Sequence, residues 1–152
     1  MSDFFTYTIT QVTNASAYDA GDSVGGKITI TNAVGDKGGF TTLKSIHVID
    51  KGNQKAVLEI LFFNSDPAAA TITDDVAFVY STDINKQIGR VSIAAADYVT
   101  LNSLATANLG SINKVLAASS ESNSLYAVIV TTGTPTYIST GDIVVTFSFE
   151  RE

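Results

Sequence analysis

The 152-residue sequence predicts an all-β protein: a jelly-roll-like, antiparallel two-sheet sandwich of about eight strands, in one domain over residues 1–152. Three observations lead there. Short runs of β-branched and aromatic residues alternate with polar ones, the period of a half-buried strand. Gly, Asp and Asn punctuate these runs, and no long amphipathic helix interrupts them. A spacing near about 20 residues, with long loops, suits a jelly roll better than a tight meander or a propeller.

The first strand falls at 4–10, where aromatic residues alternate with Thr. Residues 11–25 lack a strong period and end in turn formers, so they read as a loop. Alternation returns at 26–32 with Ile28 and Ile30 facing inward, and the Gly-rich stretch 35–39 is a turn. A third strand covers 43–50 and closes in Asp50-Lys51-Gly52-Asn53. After the strand at 57–63, Asn64-Ser65-Asp66-Pro67 breaks the pattern and a connection runs to Asp75. A short strand follows at 76–80, then a single helical turn at 81–88 with a Ser or Thr cap. Residues 89–94 read as strand, and 97–101 as a short addition. The segment 102–124 has the weakest pattern, with a strand near 112–116 and a polar turn at 119–123. Strong strands complete the chain at 125–131 and 142–150. In the last, Ile143, Val145, Phe147 and Phe149 point one way and Val144, Thr146 and Ser148 the other. The expected core comprises Ile28, Ile30, Leu58, Ile60, Phe62, Ile129, Ile143, Val145 and Phe147.

The strand at 57–63 differs from the others. Leu58, Ile60 and Phe62 form one apolar face, while Val57, Leu61 and Phe63, broken by Glu59, form a second. An antiparallel strand with one wet face does not read this way. Either a second chain covers Val57, Leu61 and Phe63, or a long loop such as 102–124 does. The first alternative makes these residues the candidate oligomer or partner face, with self-association as a homotrimer.

Composition narrows the function. With no Cys and one His, a structural zinc site has no ligand set, and no cofactor is expected. The formal net charge of −6 disfavours nucleic acid and anionic membrane as partners. No apolar run approaches the roughly 20 residues of a membrane span. The N-terminus has no basic region followed by an apolar stretch, so synthesis in a cytosol-like compartment is expected. Charged residues make up only 16% of the chain, below the usual ~25%, and part of such a surface is often covered by a partner.

Candidate chemistry is sparse. His47, the only histidine, sits inside a strand, and no Gly-x-Ser-x-Gly elbow exists for it to serve. Asp19 with Asp22, and Asp74 with Asp75, carry oxygen ligands, but not at the density a calcium loop needs. Turn and capping roles explain both pairs. Glycoside cleavage requires two carboxylates paired in space, and the absence of Trp argues against a sugar platform. Neither a catalytic nor a metal site is expected, and the protein is read as a non-enzyme.

Three stretches carry a resemblance. They are Asp22-Ser23-Val24-Gly25-Gly26-Lys27-Ile28-Thr29-Ile30; the run 47–63, His-Val-Ile-Asp-Lys-Gly-Asn-Gln-Lys-Ala-Val-Leu-Glu-Ile-Leu-Phe-Phe; and Gly133-Thr134-Pro135-Thr136-Tyr137 before the last strand. In this order they resemble small proteins encoded by tailed bacteriophages, including phages of cyanobacteria and other aquatic bacteria, among virion structural genes. The likeness extends from Gly21 to Phe147 and rests on strand-and-turn sequences. It implies a capsid decoration (cement) protein with a jelly-roll-like fold, made in the host cytoplasm and placed on the outer capsid surface. There it would bind the major capsid protein, bridge capsomers and form trimers. The alternative within the same setting is a receptor- or carbohydrate-binding domain of a tail or head fibre.

Overall fold

Ten strands form two antiparallel sheets in the computed structural model, which describes residues 2–151. They are β1 (Asp3–Thr10), β2 (Ile28–Ile30), β3 (Phe40–Asp50), β4 (Leu58–Phe63), β5 (Gln87–Ile93), β6 (Tyr98–Leu101), β7 (Leu104–Leu109), β8 (Lys114–Ala117), β9 (Leu125–Thr131) and β10 (Ile143–Arg151). One sheet runs β1-β10-β3-β7-β6, with β8 also on β3; the other runs β2-β9-β4-β5. The pairings nest. β1 lies on β10, β2 on β9, β3 on β7 and β8, and β4 on β5. A long hairpin folded over on itself in this way is the jelly roll.

The core fills the space between the sheets, and every expected core residue is buried there. Phe62 of the four-stranded sheet meets Phe147 of the six-stranded sheet edge-on at 5.7 Å between ring centroids. Inward positions on β10 (Ile143, Val145, Phe147 and Phe149) have no solvent exposure, while Val144, Thr146 and Ser148 between them are half-buried on the outside.

Ten strands stand against the about eight expected, and the differences lie in particular segments. The weakly patterned segment 102–124 contributes both β7 and β8, which share β3 as partner at different registers. The short run expected at 97–101 is β6, hairpinned to β7. In the other direction, 76–80 forms no strand, only isolated bridges such as Asp22 to Ala77 and Thr71 to Val79. The expected helical turn is a 3₁₀ segment, Thr82–Lys86, but no side chain caps it. Its Asp83 carboxylate instead accepts the Ala69 amide and pairs with Lys86 at 2.5 Å, tying the turn to the preceding loop.

The second apolar face of β4 is not exposed. Leu61 and Phe63 join Val128 and Val130 of β9 in a separate cluster covered by Ile72, Phe78 and Tyr80, and Val57 is half-buried. The cover is therefore the chain's own β4–β5 connection, and not the 102–124 segment, which is built into the opposite sheet. Phe78 and Tyr80 meet edge-on at 4.7 Å within that cover.

Two substitutions check this packing by urea denaturation. Phe147→Ala is expected to cost about 3–5 kcal/mol, the usual range for deleting a core aromatic. Leu61→Asp buries a charge under the loop and is expected to destabilise more than Leu61→Ala. A folded Leu61→Asp protein of wild-type stability would mean that the loop does not cover this face.

Candidate interaction surface

The two sheets present different outer surfaces. The four-stranded sheet lies under the β4–β5 connection, whereas the outer face of the six-stranded sheet is open. Strand register arranges that open face in rows. One row is Thr6, Ser148 and Ser45. The next is Thr8, Thr146, His47 and Asn108, with Thr8 and Thr146 hydrogen-bonded through their hydroxyls at 2.9 Å. A third is Thr10, Val144, Ile49, Thr106 and Val99. None of these side chains is acidic or basic except His47, and none is buried.

Charge enters only at the rim. A bulge between Ser148 and Phe149 places Lys44 as an extra residue of β3, and its ammonium pairs with Glu150 at 3.1 Å. Arg151 pairs with Asp3 and stacks over the Phe5 ring at 5.1 Å. Beside the bulge a groove of about 390 Å³ is lined by Phe4, Phe5, Thr6, Lys44, Ser148 and Phe149. Its one ammonium is the one held by Glu150.

His47 lies half-buried near the middle of the face. The residues in register with it, Thr146 and Asn108, carry no carboxylate. Among the described residues its imidazole makes no hydrogen bond.

The four aspartates singled out by sequence serve the loops at the far end of the sandwich. Asp74 accepts hydrogen bonds from the Tyr18 hydroxyl at 2.7 Å, the Asn14 amide at 2.7 Å and the Gly25 amide at 2.6 Å. Gly25 has φ +75°, and a Cβ there would fall 2.6 Å from the Gln11 side chain, so this contact requires glycine. Asp75 accepts from Ser16, and Asp22 accepts the Asp19 amide. Among the described residues, no three His, Cys, Asp or Glu side chains converge as a metal site.

The same end holds a cluster that the sequence did not reveal. Asp50 and Asp142, 92 positions apart (142 − 50), are both buried, beside the buried rings of Tyr137 and Tyr98. Gly52 packs between them: a Cβ there would meet Asp142 Oδ2 at 3.3 Å, Tyr137 Cδ1 at 3.4 Å and Asp50 Oδ1 at 3.5 Å. Asp142 accepts from the Ser139 hydroxyl and from the Ile138 and Ser139 amides. Asp50 Oδ2 accepts the Lys55 amide at 2.7 Å, while its Oδ1 and the Tyr137 hydroxyl have no partner.

These environments split the two carboxyls. Burial pushes Asp50 above the ordinary carboxylate value against the amides of Lys55, Gln54 and Gly52, with the Asp142 charge adding to the rise. Burial also acts on Asp142, but the bonds from Ser139 and Ile138, aided by Lys51, hold it below the ordinary value. Burial likewise raises the Tyr98 and Tyr137 hydroxyls, and the Asp50 charge adds to both.

A search against protein-family models finds no match, and no curated protein matches. Solved structures that align with this chain include tomato aspermy virus, at TM-score 0.40 and 6% identity over 98% of this chain and 76% of that one. Desmodium yellow mottle tymovirus aligns at TM-score 0.28 and 14% identity over 99% of this chain and 81% of that one. Triatoma virus aligns at TM-score 0.27 and 12% identity over 97% and 62%. Likeness at this level carries no argument about partner or activity, and the fold rests on the nested pairing itself.

The split aspartates give a pH signature. Because the folded value of Asp50 is raised, its stabilising contribution is complete below the unfolded value and is lost as pH rises through the folded one. Asp50→Asn is therefore expected to raise the urea midpoint near neutral pH, with the gain shrinking towards about pH 4. Asp142 has the opposite sign: its contribution is present above the unfolded value and lost as pH falls through the lowered folded value. Asp142→Ala is expected to destabilise at neutral pH and to converge on wild type in acid. Parallel pH profiles for the two variants would contradict this assignment.

Proposed function

We propose that this protein is a non-enzymatic structural component of a virus particle, and within that class a tailed-phage capsid decoration protein. It binds the major capsid protein on the outer capsid surface and stabilises contacts between capsomers. The observation that carries this reading is the open, uncharged face of the six-stranded sheet. Interface cores are depleted of charged side chains, because a paired charge seldom repays its desolvation. A chain of net charge −6 that keeps three rows of one sheet free of acidic and basic groups other than His47 has a face fitted to be covered. Repetition over a capsid lattice multiplies modest contacts into avidity. The resemblance in 22–30, 47–63 and 133–137 supplies the particle, and the negative charge is consistent with a partner other than nucleic acid.

The homotrimer expected from Val57, Leu61 and Phe63 loses its ground, since Leu61 and Phe63 lie under the chain's own loop. A carbohydrate-binding fibre domain is less well supported. Among the described residues the exposed large aromatics are Phe4 and Phe40, which lie on different strands and form no platform, and no tyrosine is fully exposed.

The test is titration of particles lacking the protein with variants carrying a charge at the face centre. Thr146→Glu and His47→Glu are expected to weaken particle binding by at least about 10-fold while changing stability by no more than about 0.5 kcal/mol. Arg90→Ala, on the other sheet, is expected to bind as wild type. Undiminished binding by both face variants would contradict the reading.

A further inference from the structure

Antiparallel sheets end in edge strands whose outward N–H and C=O groups are templates for another chain, and folded proteins usually blunt them. Among the described residues, four of the five edges here are blunted. β2 has 3 residues, and β6 and β8 have 4 each. β5 carries Arg90 and Gly89, and the Lys114 side chain packs against that glycine, 3.1 Å from where a Cβ would stand. β1 is different. Its 8 residues, Asp-Phe-Phe-Thr-Tyr-Thr-Ile-Thr, run without Pro, Gly, Lys or a bulge in register with β10.

The direction of its backbone groups follows from one hydrogen bond. The Gln11 amide donates to the Ile143 carbonyl at 2.9 Å, and these residues continue the β1–β10 register. Hydrogen-bonded pairs alternate along an antiparallel ladder. Ile9, Tyr7, Phe5 and Asp3 therefore bond to β10, and the N–H and C=O groups of Phe4, Thr6, Thr8 and Thr10 point away from it. Among the described residues nothing pairs with them.

The side chains of β1 are unfinished in the same direction. Phe5, Tyr7 and Ile9 pack on the core yet remain half-exposed, unlike the fully buried Val145, Phe147 and Phe149 beside them. On the outer face, Phe4 is 69% exposed at one end of the strand and Val12 is 67% exposed just past the other.

We propose that the free edge of β1 pairs with β1 of a second copy of this chain, antiparallel about a twofold axis at Tyr7. The occupant is a second copy because this register makes the strand complementary to itself. Phe4 pairs with Thr10 of the copy and Thr6 with its Thr8, using all four outward residues, two bonds to each pair or about eight in all. Phe5 meets Ile9 across the axis and Tyr7 meets Tyr7, closing the half-exposed flank. Phe4 comes diagonally beside Val12, bringing the two exposed apolar ends together. The two sheets become one, and their uncharged faces become continuous. This inference goes beyond the capsid reading and is tested on the free protein, so either can fail without the other.

Sedimentation of the full chain up to about 500 µM is expected to show a monomer–dimer equilibrium. Thr8→Pro removes an N–H that faces the free edge and leaves the β10 ladder intact. It is expected to weaken the dimer at least about 100-fold with an unchanged circular dichroism spectrum. The chain has no cysteine, so register can be read by crosslinking. Phe4→Cys and Thr10→Cys, mixed in equal amounts and oxidised, are expected to give the mixed disulfide dimer. Their Cα atoms should lie about 5.5 Å apart, within disulfide range, whereas each variant alone should not crosslink. A wild type that stays monomeric throughout overturns the proposal, as does a trimer. A dimer indifferent to Thr8→Pro, or crosslinking no better in the mixture than in the single variants, also overturns it. Should Thr8→Pro fail to fold, the cysteine pair decides alone.

Discussion

The register of β10 between β1 and β3 is the constraint on which the rest of this molecule depends. β10 pairs with the start of the chain on one side and with residues 41–50 on the other, so the six-stranded sheet has no centre until the last strand arrives. Its inward residues, Ile143, Val145, Phe147 and Phe149, then close the core, with Phe147 reaching Phe62 across the gap. Because the other pairings nest inside this one, most contacts join distant parts of the sequence. Such a topology folds slowly and cooperatively, since loop closure has to be met before strand pairing is rewarded.

Closing the sandwich leaves two outer surfaces, and the chain treats them oppositely. Over β4 and β9 it lays Ile72, Phe78 and Tyr80, so an apolar second face becomes a satellite core. Over β10, β3 and β7, among the described residues, it lays nothing, and fills the positions with Thr, Ser, Asn, His47 and a few β-branched apolar residues. The Thr and β-branched residues among them are good strand formers, and none carries the desolvation cost of a Lys or Glu charge. The buried carboxyls sit at the loop end, where three donors hold Asp142 below the ordinary carboxylate value and burial holds Asp50 above it despite its backbone amides. The open sheet is thereby left without competing electrostatics at its centre.

Much of the fold was legible because inward and outward residues alternate with period two, which is a local property. The core positions on β2, β4, β9 and β10 could be read directly for that reason. β7 escaped because its inward residues are Ala105 and Ala107, too small to set up a hydrophobic period. Residues 76–80 misled in the opposite sense: Val-Ala-Phe-Val-Tyr has the β-branched and aromatic composition of a strand, but Val76 and Val79 are exposed and the segment is a lid with isolated bridges. Periodicity announced that Leu61 and Phe63 were covered without saying by what, and the cover proved to be the adjoining connection. The meeting of Asp50 with Asp142, and the uncharged rows on the outer sheet, depend on register between strands far apart in sequence. Neither leaves a local trace.

The central claim is that the open face of the six-stranded sheet is the surface this protein uses on a particle. Electron cryo-microscopy of the parent particle, at a resolution that distinguishes the two sheets, tests it most directly. The account predicts density for this chain on the outer capsid, with β10, β3 and β7 against the lattice and the β4–β5 connection towards solvent. Density with the connection against the lattice and the Thr-rich face in solvent, or a capsid surface without this chain, would contradict it.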